Sequence, residues 1–199
     1  MAADRILVSF IHYPVYTLGP GLRAGLWTQG CAIQCKGCMS QHTWAFDERY
    51  ARPLSEVAET LCQLPTHALT ISGGEPLDQA EALYHLLVRI RPHFTDILLY
   101  TGYRMEWIRK SHRNLLTLVD AVVDSPFRRG KESEALYKGS ENQRFFLLNE
   151  SLREVYEPWT TARKNKQLQL VSRPEGVYII GIPYQRDFEA LQDEVGQNL

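Results

Sequence analysis

Three short aliphatic runs, ALTIS (68–72), DILLYT (96–101) and DAVVD (120–124), alternate along the chain with two segments of helical spacing. In DQAEALYHLLVRIRPHF (78–94) and MEWIRKSHRNLLTLV (105–119) apolar residues recur every three or four positions, as on one face of a helix. Strands separated by helices pair in parallel, because a parallel neighbour needs a crossover long enough to hold a helix. The chain therefore reads as α/β with mostly parallel strands. Upstream, RILVSFI (5–11) and AGLWTQ (24–29) read as strands, and LSEVAETLCQL (54–64) as a helix that puts Leu54, Val57, Ala58, Leu61 and Cys62 on one face. RFFLLN (144–149) adds a strand after a long polar loop over 125–142. LQLVSR and GVYIIGI flank Pro174-Glu175 as a β-hairpin, and RDFEALQDEV (186–195) reads as a closing helix. No repeat or linker divides the 199 residues, so one domain over 1–199 is expected, with 150–199 as a possible small C-terminal appendage.

Parallel sheets present ligands at the carboxyl ends of their strands. Here those ends carry Ser72-Gly73-Gly74-Glu75, Thr101-Gly102-Tyr103 and Asp124-Ser125, while AGLWTQ runs into CAIQCKGCM (31–39). Four strand ends are thus expected on one rim. Cys31, Cys35 and Cys38 have the spacing C-x3-C-x2-C, which lets a loop carrying Gly30 and Gly37 wrap three thiolates around one centre. Thiolates select zinc, copper(I) or iron–sulfur clusters. A four-iron cluster held by three cysteines keeps one iron open to a small molecule. His42, four positions after Cys38, leaves a second possibility: a non-catalytic Cys3His zinc-binding module. Cys62, on an apolar helix face, is assigned to the core, and Trp44, Trp107 and Trp159 to packing.

The charge balance excludes some partners. With 22 Lys and Arg against 23 Asp and Glu, the chain has neither the basic excess nor the basic block that nucleic acid or an anionic membrane calls for. MAADRILVSFIHYPVY lacks the architecture of a signal peptide, and no run approaches the roughly 20 apolar residues of a membrane span. Three cysteines crowded together do not form a secreted disulfide framework, so a cytoplasmic setting is expected.

The cysteine triad followed by Ser72-Gly73-Gly74-Glu75-Pro76 resembles the radical S-adenosylmethionine (radical SAM) superfamily. GPGLRAGLWTQGC (19–31), CKGCMSQHTW (35–44), ISGGEPLD (71–78), LLYTGY (98–103), VVDSPF (122–127) and YKGSENQR (137–144) narrow the resemblance to the activating enzymes of anaerobic ribonucleotide reductase. The resemblance implies an incomplete (β/α) barrel. It also implies a [4Fe–4S] cluster on Cys31, Cys35 and Cys38, with the open iron chelated by S-adenosyl-L-methionine. Reductive cleavage to a 5′-deoxyadenosyl radical and hydrogen abstraction from a glycine of a partner protein would follow. The implied partner is a glycyl radical enzyme such as anaerobic ribonucleotide reductase, and the implied electron donor a flavodoxin or ferredoxin. By the same resemblance Ser72, Gly73, Gly74 and Glu75 meet the methionine end of the cofactor. Gly37 and Met39 lie near its adenine, Met39 standing where the family commonly has an aromatic. Thr101 and Asp124 meet its ribose or methionine part, although Asp124 equally suits a turn or cap. A radical SAM maturase acting on a peptide or small metabolite is the alternative within the superfamily.

Overall fold

A computed structural model of the chain describes residues 4–173, 176–184, 186–188 and 190. Its centre is the expected parallel arrangement. Strands β2 (Arg23–Thr28), β4 (Ala68–Gly73), β5 (Asp96–Tyr100) and β6 (Ala121–Asp124) lie side by side in parallel. Antiparallel strands extend the sheet on both sides, β1 (Arg5–Val15) and β3 (Ala51–Pro53) beyond β2 and β7 (Arg144–Leu147) beyond β6. The sheet is thus seven-stranded and open, in the order β3-β1-β2-β4-β5-β6-β7. That open sheet is what stands where the resemblance implied an incomplete barrel.

Residue alternation along the strands sorts the two faces. Ile97, Leu99 and Val122 join the main core with α1 (Leu54–Cys62), α2 (Ala80–Ile90), α3 (Met105–Ser111) and α4 (Arg113–Leu116). Leu98, Ala121 and Val123 face the other way, onto Tyr156 and Trp159 of α5 (Arg153–Thr161). A helix over 105–119 was expected in one piece. It breaks at His112, whose φ of −135° and ψ of 40° leave the helical region. The segment 78–94 is a 3-10 turn, Pro76–Gln79, followed by α2. α5 escapes a sequence reading because Pro158 stands inside it.

A separate two-stranded sheet, β8 (Leu168–Arg173) and β9 (Gly176–Gly181), forms the expected hairpin. Its connecting Pro174-Glu175 and most of the expected helix over 186–195 lie outside the described residues. Ile180 of β9 packs with Phe10, Val15 and Leu18, so the hairpin lies against the sheet. No helix among the described residues is long and apolar enough to cross a membrane.

At the amino ends of the parallel strands Arg23 is fully buried and pairs with Asp96 at 2.5 Å. It also donates to Thr70 Oγ1 and the Leu69 carbonyl, and the Tyr156 hydroxyl donates to Asp96 at 2.6 Å. This network ties β2, β4, β5 and α5 together at the end of the sheet opposite the cysteines.

Candidate active site

The four parallel strands bring their carboxyl ends to one rim, where an open cavity is lined from all four. β2 contributes Trp27 and leads into the cysteine loop, β4 ends in Ser72, Gly73, Gly74 and Glu75, β5 in Tyr100, Thr101 and Gly102, and β6 in Ser125 and Pro126. Cys31, Cys35, Cys38, Gly37 and Met39 join the wall. The segment after β6 adds Phe127, Glu132, Gly139 and Gln143, and the hairpin forms a further side with Ile179, Ile180 and Gly181. A sequence reading has no means of finding that side: the hairpin's apolar pattern marks it as a strand pair but not where it packs.

Backbone hydrogen bonds hold the loops in place. After β2, Gly30 turns with φ +98°, donates to the Thr43 carbonyl at 2.7 Å and accepts from Glu75 N–H at 2.8 Å. Cys31 N–H donates to the Trp44 carbonyl, so the two ends of the cysteine loop are clasped. Gly74 N–H donates to the Thr28 carbonyl, and a Cβ on Gly74 would lie 2.2 Å from the Gly30 carbonyl oxygen. Gly73 has φ +112°, and a Cβ there would fall 2.3 Å from the Thr28 nitrogen. Both glycines border the cavity, but what their missing side chains make room for is neighbouring backbone.

Glu75 is 1% exposed and aims both carboxylate oxygens at donors. Thr101 Oγ1 and Leu77 N–H donate to Oε1 at 2.7 and 2.9 Å, and Gly102 N–H donates to Oε2 at 2.7 Å. Glu75 therefore locks the ends of β4 and β5 together. Burial pushes its carboxyl up to about 7, against the pull of Thr101 and the Leu77 and Gly102 N–H groups. Asp78, which a sequence reading passes over inside ISGGEPLD, braces the site from the next turn. Its Oδ2 accepts from Ala32 N–H at 2.6 Å and its Oδ1 from the Tyr103 hydroxyl at 2.7 Å.

Asp124 does not reach the cavity wall. Its buried carboxylate accepts from Met105 N–H at 2.7 Å, Ser125 Oγ at 3.1 Å and Arg144, which also binds Glu106. These bonds are those of a turn-and-cap residue, and Ser125 is what β6 shows to the cavity. His42 lines an adjacent cavity with Phe10, Trp27 and Tyr178 rather than the one with the thiols.

All four cysteines are free thiols. Burial pushes the Cys31, Cys35 and Cys38 thiols up, Cys35 to about 11 with Cys38 as its second cause. Each sulfur also has backbone N–H groups nearby: Gln34 and Ile33 for Cys31, Phe127 for Cys35 and Ser40 for Cys38. Such a triad keeps its protons until a cation displaces them, and N–H groups aimed at sulfur suit the thiolates of a cluster. Among the described residues no group of three or more His, Cys, Asp or Glu is gathered as the ligands of a single metal ion. Three thiols spread around one cavity suit a cluster in which each binds a different iron.

The 4Fe-4S single cluster domain family matches residues 17–146. The anaerobic ribonucleoside-triphosphate reductase-activating protein of Vibrio cholerae is 33% identical over 143 residues, which cover 66% of this chain and 92% of that protein. Its namesake from Enterobacteria phage T4 is 31% identical over 154 residues, 73% of this chain and 94% of that protein. The pyruvate formate-lyase-activating enzyme of Staphylococcus aureus is 38% identical over 91 residues, 42% of this chain and 36% of that enzyme. The match to the family holds the cysteine loop and the carboxyl ends of β2, β4, β5 and β6, while α5 and the hairpin lie beyond it. The chain belongs to the 4Fe-4S single cluster domain family and is a radical SAM enzyme of the activating-enzyme kind.

Proposed function

We propose that the chain is a glycyl-radical activase serving an anaerobic ribonucleotide reductase, with Cys31, Cys35 and Cys38 as the ligands of one [4Fe–4S] cluster. The observation that carries this reading is the single cavity in which three thiols meet the polar ends of parallel strands. Held by Cys31, Cys35 and Cys38, the cluster would supply the one-electron chemistry that side chains cannot, the reductive cleavage of S-adenosyl-L-methionine that allows hydrogen-atom abstraction from a glycine Cα of the partner.

The protein's own part is binding and orientation. Ser72, Gly73 and Gly74 offer main-chain groups to the amino-acid end of the cofactor. Gly37 and Met39 border the place for adenine, where a methionine supplies an adaptable apolar surface. Thr101 and Glu75 act as a unit, since the hydroxyl that borders the cavity is held by the carboxylate behind it. Asp124 acts at one remove, by fixing the start of α3 and the turn that presents Ser125. We read the open sheet as part of an incomplete barrel, the electron donor as a flavodoxin or ferredoxin, and the setting as cytoplasmic. The test is anaerobic incubation of reconstituted protein with S-adenosyl-L-methionine, a reductant and the reductase. A glycyl radical on the reductase by electron paramagnetic resonance (EPR) is the expected result. Formation of 5′-deoxyadenosine without that radical would move the target to a peptide or metabolite.

A further inference from the structure

The indole Nε1 of Trp44 is a buried donor with no hydrogen-bond partner in place. An unpaired N–H in the interior costs its full desolvation, so such a group points to an acceptor that arrives with a ligand. Trp44 lines the cavity together with Cys38, and its side-chain N–H lies toward the Cys38 sulfur. The contact falls short of hydrogen-bond geometry with a neutral thiol, which is a weak acceptor. A thiolate bound to iron is a much better one.

Backbone bonds at both ends of the loop hold Trp44 in that position. Its carbonyl accepts from Cys31 N–H at 3.0 Å, and its N–H donates to the Gln41 carbonyl at 3.1 Å, closing the 3-10 turn Gln41–Thr43. Thr43 Oγ1 donates to the Ser40 carbonyl at 2.7 Å within the same turn. One residue is thus bonded through its backbone to the first cysteine and directed through its ring toward the third. The packing role expected for Trp44 accounts for neither feature.

We infer that Trp44 is a positioning residue whose indole N–H hydrogen-bonds the Cys38 thiolate of the bound [4Fe–4S] cluster and raises its reduction potential. A donor at sulfur stabilises the reduced, more negative state of a cluster more than the oxidised one. The inference rests on the reading that Cys31, Cys35 and Cys38 hold a cluster.

The test uses the whole chain, reconstituted anaerobically, as wild type and as Trp44→Phe, which keeps an aromatic ring and removes the N–H. Iron and sulfide content are measured first, then the midpoint potential by an EPR-monitored redox titration. Trp44→Phe is expected to lower the potential by the equivalent of about tenfold in the one-electron equilibrium, about 59 mV. After exchange into deuterated buffer, the reduced wild-type cluster is expected to show coupling to an exchangeable proton that the variant lacks. Equal cluster content with the same potential and the same coupling would overturn the inference. If Trp44→Phe takes up no cluster, wild type labelled with indole-15N tryptophan decides: nitrogen coupling that survives Trp27→Phe supports the inference, and its absence overturns it. A wild-type chain that binds no cluster overturns the proposed function, and this inference with it.

Discussion

Glu75 shows how much of the site depends on single residues. Its carboxyl holds a proton up to about 7 in the folded chain, against an ordinary 4.5, so between those pH values the folded state binds the extra proton. The stability gained from the neutral form is complete below about 4.5 and lost as the pH rises through 7. In the cluster-free chain the loss is on the order of 3 kcal/mol, and Glu75→Gln is expected to flatten that slope in urea unfolding measured at pH 5 and pH 8. Gly74→Ala should act through position, because the new Cβ would drive the Gly30 carbonyl away and with it the entry to the cysteine loop. We expect about a hundredfold loss of cofactor cleavage, measured as 5′-deoxyadenosine, with the fold retained. Glu75 and Gly74 were legible as members of a rim motif, but their partners were not. That Glu75 serves Thr101 and Gly102, and that the glycines accommodate Thr28 and Gly30, depends on contacts between strands far apart in sequence.

The hairpin carries the consequences at the level of elements. β8 and β9 belong to no part of the main sheet, yet Ile180 is 3% exposed and β9 forms a side of the cavity. Ile180→Ala is expected to cost about 2–5 kcal/mol and to raise KM for S-adenosyl-L-methionine more than it lowers kcat. A thermal melt and steady-state kinetics check the two halves, and an unchanged melting temperature would mean the hairpin does not pack on Phe10, Val15 and Leu18. Alternating strand and helix patterns made β4, α2, β5 and β6 readable, because each pattern is local. The short β3 and the proline-containing α5 have no such local signature. The break in 105–119 at His112 was equally hidden, since the apolar spacing runs on through it.

At the scale of the molecule, the sheet has a structural end and a chemical end. Arg23 belongs to the structural end, although it opens a segment that leads straight to Cys31. Arg23→Met would leave Asp96 and the Tyr156 hydroxyl buried without their cation, and is expected to destabilise the fold by about 3–5 kcal/mol. Urea unfolding measures it, and cluster ligands on the opposite rim should be intact in the fraction that folds. That four strand ends share one rim was legible because parallel pairing brings like ends together; the open sheet's antiparallel flanks were not, since β1 and β7 carry no mark of direction. Under the proposed function, the three thiols of one cavity hold a cluster that cleaves S-adenosyl-L-methionine. The most direct measurement is anaerobic: reconstitution with iron and sulfide, addition of dithionite and S-adenosyl-L-methionine, and assay of 5′-deoxyadenosine for wild type and for serine variants of Cys31, Cys35 and Cys38. Product is expected from the wild type and from Cys62→Ser, and none from any of the three variants. Bound zinc with no product, or product that survives loss of one of the three thiols, would contradict the proposed function.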